Sequence, residues 1–202
     1  MYARLQTTET LPPDDSVVPM LTDTIASHPG YAGILMLADD QGGAMVTLWE
    51  SREDAELAAE RTAASLGPRP IALAHDAVYE VDADLAGAAA GEEPAVAYLD
   101  QFDGPLTPER LDATRLAGAQ RIGPALQAVP GLVRTLVLWH PADRAMAVLH
   151  IATSREALQR VTTAIRTSVL LPGEDPALLP GPDRVRVLEV AAYRAVPARV
   201  SR

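Results

Sequence analysis

Pro29-Gly30-Tyr31-Ala32-Gly33-Ile34-Leu35-Met36-Leu37 returns 101 residues later as Pro130-Gly131-Leu132-Val133-Arg134-Thr135-Leu136-Val137-Leu138. The same offset carries on to Ala44-Met45 and Ala145-Met146. Ser51-Arg52-Glu53 then matches Ser154-Arg155-Glu156 at an offset of 103, which requires a two-residue insertion. Downstream, Val78-Tyr79-Glu80-Val81 matches Val187-Leu188-Glu189-Val190, and upstream Ala3-Arg4-Leu5 matches Ala97-Tyr98-Leu99. Matches in one order along the chain are the mark of an internal repeat. The small and polar stretch from Leu85 to Glu93 serves as the linker. The expected organisation is residues 1–84, linker 85–93, and residues 94–202.

Each copy has the same succession of local signals. A first strand (2–8; 95–102) alternates apolar and polar residues. A helix follows, over about 16–27 in the first copy and from Thr107-Pro108 in the second, where Thr is an N-cap and Pro suits the first helical position. Pro-Gly then leads into a hairpin (31–37 with 44–50; 133–140 with 145–151). A second helix (52–65; 155–168) and a last strand (76–81; 184–192) complete the order βαββαβ, a ferredoxin-like unit of the α+β class. Ile34, Leu35, Met36 and Leu37 are consecutive apolar residues, so both faces of that strand need cover. Two sheets packed face to face, or closed into a barrel with the helices outside, would provide it.

Composition narrows the chemistry. The chain has 202 residues and 17 basic side chains, all arginine; it contains no Cys, Lys or Asn. That excludes thiolate nucleophiles, Cys-held metals, lysine Schiff bases and P-loop lysines. A net charge of −10 without an arginine stripe disfavours nucleic acid and anionic membranes as partners. The N-terminus lacks a signal pattern and no apolar run is long enough to span a bilayer, so a cytoplasmic protein is expected. The four histidines are dispersed, without metal-ligand spacing, so no metal is expected.

Pro29-Gly30-Tyr31, the hairpin, and Trp49-Glu50-Ser51 before an acidic helix start resemble the antibiotic biosynthesis monooxygenase family. The resemblance implies the dimeric α/β barrel. Members usually build it from two chains; here both units lie in one, implying an intramolecular pseudo-dimer. Relatives oxidise polyketide quinone precursors or degrade haem. The family often pairs through edge strands, so a homodimer is an option. The departures are specific. Where anthrone-oxidising members carry an Asn four residues before the motif tryptophan, this chain has Met45, with Met146 in the repeat. Ala55 replaces a tyrosine, and the helix 52–65 lacks the histidine of the haem-degrading members. Of the family's residues Trp49 remains, and at the 101-residue offset the second copy carries His150 in its place.

Strand alternation groups Met45, Thr47 and Trp49 on one face, and Met146, Val148 and His150 on the matching one. By the Ala3/Ala97 match, Arg4 and Gln6 share the first face, and Tyr98 and Asp100 the second. The resemblance implies that these faces look into the barrel. Asp100 would fix the tautomer of His150, which would act as general base, with Tyr98 bonding a phenol or carbonyl. Trp49 and Trp139 would stack on an aromatic ligand, with Arg4 and Gln6 beside it. The expected activity is cofactor-independent oxygenation of an aromatic or polyketide-type small molecule. A barrel that binds a small ligand or serves structure alone is the other reading, since the family's Asn positions are missing.

Overall fold

The structure is a computed structural model that describes residues 1–10, 17–66, 72–179 and 181–195. Ser16, at the start of the first expected helix, and Pro180, in the Pro-rich stretch 171–182, fall outside them. The chain is α+β and divides into two compact units. One comprises Met1–Val81 with the chain from Leu188 onward, the other Asp82–Val187.

In the first unit, β1 (Tyr2–Thr8) lies between β3 (Gly42–Trp49) and β4 (Leu73–Ala86), antiparallel to both. β2 (Tyr31–Asp39) forms a hairpin with β3, and β8 (Arg184–Ala195) adds to its other side, with Leu37 opposite Val190. The last strand of the second sequence copy therefore extends the sheet of the first. Helices α1 (Val17–Ala26) and α2 (Arg52–Leu66) cover one face, where Ile25, Ala55 and Ala58 pack on Ile34, Trp49 and Val78. Ser51 caps α2: its Oγ accepts from the Asp54 N–H at 3.0 Å and donates to the Asp54 carboxylate at 2.6 Å. Gly30 is dictated by its turn, because its φ is +72° and a Cβ there would run into the Asp54 carboxylate.

In the second unit, β7 (Ala145–Ala152) lies between β5 (Val96–Phe102) and β6 (Leu132–His140), again antiparallel. The part of β4 beyond Val81 runs beside β6, where Arg134 and Asp84 form a two-pronged ion pair at 2.7 Å. α3 (Pro108–Ala117) begins at the N-cap Thr107, as the sequence predicts. It passes through a π-helical turn (Gly118–Ile122) into α4 (Gly123–Gln127). α5 (Arg155–Thr167) is capped by Ser154. Among the described residues no helix is long and apolar enough to cross a membrane.

Ladder register relocates the two-residue insertion. The first hairpin closes with Asp39 opposite Gly42, the second with His140 opposite Ala145. The extra residues therefore sit in the turn Pro141–Arg144, not after Met146. Tyr2 faces Trp49 and Val96 faces Ala152. The counterpart of Trp49 is thus Ala152, and His150 matches Thr47. The sequence equated His150 with Trp49 because the Ala-Met pairs matched at the wrong side of the turn.

Candidate functional site

The register gives each unit a polar trio at the same three positions. In the first, Arg4 is opposite Thr47, and Gln6 lies one step along β1 opposite Met45. In the second, Tyr98 is opposite His150, and Asp100 is opposite Val148. The sequence grouped these side chains by face, but assigned the face to a barrel interior. The structure corrects this in both units. Trp49 packs beneath α1 and α2, and Tyr98 packs with Ala157 and Leu158 of α5. Alternation reports which residues share a face, not which face the helices cover. The opposite faces are the more uniformly apolar, with Ala3, Leu5, Val46 and Leu48 on one and Leu99, Leu136, Leu149 and Ile151 on the other, all buried.

In the first unit Arg4 is committed to structure. Its Nε and one terminal nitrogen bond Asp76 at 2.7 and 2.8 Å. The other terminal nitrogen donates to the carbonyls of Ala55 and Glu56. It thereby ties α2 to β1 and β4. Gln6 is 3% exposed, and its Nε2 is buried without a partner. Trp49 Nε1 donates to Thr47 Oγ1 at 2.8 Å, and Tyr31 meets the Trp49 ring edge-on at 6.0 Å. Burial pushes the Tyr31 phenol up, opposed by the Arg194 charge. Arg4, Gln6, Met45, Thr47 and Trp49, with Ile25, Ala58, Ala59 and Thr62, line a small, partly open pocket. It has room for about one water molecule.

The second trio holds two largely buried titratable groups whose ionisation the fold shifts. His150 is 4% exposed, and its Nδ1 lies 3.1 Å from Thr135 Oγ1. Its Nε2 lies 3.9 Å from Asp100 Oδ2, beyond hydrogen-bond reach. The ring's orientation thus rests on Thr135, not on Asp100 as expected. Sequence reasoning missed Thr135, although it belongs to the repeated phrase and stands opposite His150. Loss of solvent pushes the Asp100 carboxyl up to about 6 and the His150 imidazole down to about 4. The same cause moves them in opposite directions because one form is charged when deprotonated and the other when protonated. At neutral pH Asp100 is the poorly solvated anion, and His150 is neutral. Trp139 is buried on this face with Met146, Phe102 and Leu106, and the Arg115 guanidinium stacks 5.8 Å above its ring.

Among the described residues no three His, Asp or Glu side chains come together as a metal site. No family model and no curated protein matches the chain. Solved structures do. A proposed monooxygenase from Lactobacillus acidophilus superimposes with a TM-score of 0.64, at 10% identity over 96% of this chain and 95% of that one. An anthrone oxidase-like protein gives 0.54, at 15% identity over 99% and 95%. A ferredoxin-fold protein from Listeria monocytogenes, related to antibiotic biosynthesis monooxygenases, gives 0.54, at 10% identity over 93% and 94%. What these proteins share with this chain is their fold, ferredoxin-like α+β.

Proposed function

We propose that this chain is a cofactor-independent monooxygenase of small aromatic or polyketide-type molecules, with its reactive site on the Tyr98/Asp100/His150 face. The carrying observation is Asp100, a largely buried carboxylate whose pKa is raised to about 6 beside a neutral imidazole. A carboxylate stripped of water is a stronger base than an exposed one and is ionised at neutral pH. It takes a proton from an activated methylene of the substrate. The resulting electron-rich anion reduces dioxygen. One oxygen atom becomes the new carbonyl, and the other leaves as water with the two hydrogens taken from carbon. The substrate supplies the electrons, so the balance needs no external reductant. Tyr98 bonds the phenol or carbonyl, and Trp139 stacks on the ring system.

The same proposal makes the chain a tandem duplication that works as a pseudo-dimeric barrel, with Gln6 and Trp49 as the ligand-binding counterpart in the first unit and Arg4 holding α2 beside them. The register supports diverged roles, since Gln6 corresponds to Asp100 and Thr47 to His150. A second reading, a barrel without catalysis, draws on the first unit's cavity, which accommodates a water and not a polycyclic ligand. Oxygen uptake with an anthrone substrate separates the two. We expect turnover that falls at least tenfold in Asp100→Asn and less in His150→Gln. No uptake, or uptake indifferent to both substitutions, would overturn the monooxygenase reading.

A further inference from the structure

We infer that α3 is a movable cover over the Trp139 face of the second unit, pivoting at Gly118 and latched by Arg115. The inference rests on the proposed reactive site, since His150 and Trp139 are 4% and 7% exposed and a substrate needs a way in.

α3 is held weakly along its own length. Its one buried residue is Ala117, whereas α5 buries Ala157, Leu158 and Val161. Leu111 is its contact with the cluster of Trp139, Met146, Phe102 and Val148, and Val148 is the ladder partner of Asp100. Few apolar contacts mean a low free energy of local opening. The flanks differ. Before α3, Leu106 is buried in the Trp139 cluster and its N–H bonds the Arg144 carbonyl. After α3, Ile122 and Leu126 pack on Val161. Within the π turn, Arg121 bonds Glu174 through both carboxylate oxygens, and both side chains are buried. A helix with few buried side chains, flanked along its length by the 3-10 turn Pro176–Leu178, therefore lies between two fixed points.

Gly118 stands where the loose segment meets the second fixed point. It has ordinary helical angles, and a Cβ there would meet nothing within 4 Å. Neither backbone nor packing demands glycine, yet glycine in a helix costs about 1 kcal/mol relative to alanine. π turns interrupt the regular ladder and recur at functional sites. On the inner side, Leu111, Thr114 and Arg115 are spaced i, i+3, i+4 and share one helix face. Thr114 Oγ1 is buried there with no partner, so the closed position leaves a hydroxyl unsatisfied that opening, or a ligand, would satisfy. Arg115 closes the arrangement: it stacks on Trp139 and grips Asp82 at 2.8 and 2.9 Å, an exposed pair that is readily broken.

The test is acrylamide quenching of Trp139 fluorescence, with Trp49→Phe as background so that one tryptophan emits. Gly118→Ala should lower the quenching constant several-fold while retaining the fold, and Asp82→Asn should raise it several-fold. Equal quenching in all three proteins would overturn the cover. If quenching responds as expected but the protein with Trp49 intact consumes no oxygen, the cover stands and the assigned chemistry falls.

Discussion

Asp100 and His150 are two faces of one physical event, the withdrawal of water from neighbouring ionisable groups. Folding raises Asp100 from its ordinary value to about 6, so the native state holds that proton longer than the unfolded chain does. Between about pH 4 and 6, raising the pH therefore removes stability. Folding lowers His150 to about 4, so the unfolded chain takes up that proton first. Between about pH 6.5 and 4, lowering the pH removes stability. In the intact protein the two slopes oppose each other. Asp100→Asn should leave the histidine slope alone, with stability falling by about 3 kcal/mol from pH 6.5 to 4. His150→Gln should leave the aspartate slope, with stability falling by a similar amount from pH 4 to 6. Urea unfolding across this range checks both, and parallel profiles for the two variants would refute the assignment. Alternation brought both residues onto one face, because side-chain period in a strand is fixed at two. Their distance was not legible, and neither was the role of Thr135, because both depend on cross-strand register. The register itself was misplaced by two residues through the insertion at Pro141–Arg144.

Helix starts were the most legible elements, because capping is local chemistry: Thr107-Pro108 begins α3 as the sequence implies, and the expected start of α5 at Arg155 is capped by Ser154. The end of α3 was not, since a π turn has no local signature comparable to a cap. The described part of the Pro-rich stretch after α5 contains a 3-10 turn at Pro176–Leu178. What anchors it is the buried pair Arg121–Glu174. Glu174 also accepts from the Leu171 N–H at 2.7 Å, and Arg121 donates to Ser168. Partners separated by 53 residues cannot be matched by inspection of a sequence. A buried ion pair punishes the loss of one member more than the loss of both. Arg121→Leu should cost about 3 kcal/mol by stranding Glu174, and Arg121→Leu with Glu174→Leu should recover much of that loss. A double-mutant cycle in urea reads the coupling. Simple additivity would mean the pair contributes nothing as a pair.

At the scale of the whole chain, the repeat announced two sets of strands but not their partners. Val78-Tyr79-Glu80-Val81 and Val187-Leu188-Glu189-Val190 identify β4 and β8 as last strands. Nothing in those residues says against which edge each strand's far end lies. The boundary between the compact units cuts both strands, between Val81 and Asp82 and between Val187 and Leu188. The far half of β8 lies along β2, from Ala38 opposite Glu189 to Gly33 opposite Ala195. A fragment ending in the linker, residues 1–93, therefore keeps its βαββαβ order but loses the strand that satisfies the β2 edge. An unpaired edge beside Leu35 and Leu37 exposes backbone donors and acceptors and invites pairing with another chain. The far half of the fragment's own β4 could fill that edge only in a second copy of the fragment. Residues 1–93 should consequently aggregate or run as a dimer in size-exclusion chromatography. Mixing them with residues 94–202 should restore a single species whose circular dichroism matches the intact chain. A folded, cooperatively unfolding monomer of residues 1–93 would show that the sequence copy, not the strand-exchanged unit, is what folds.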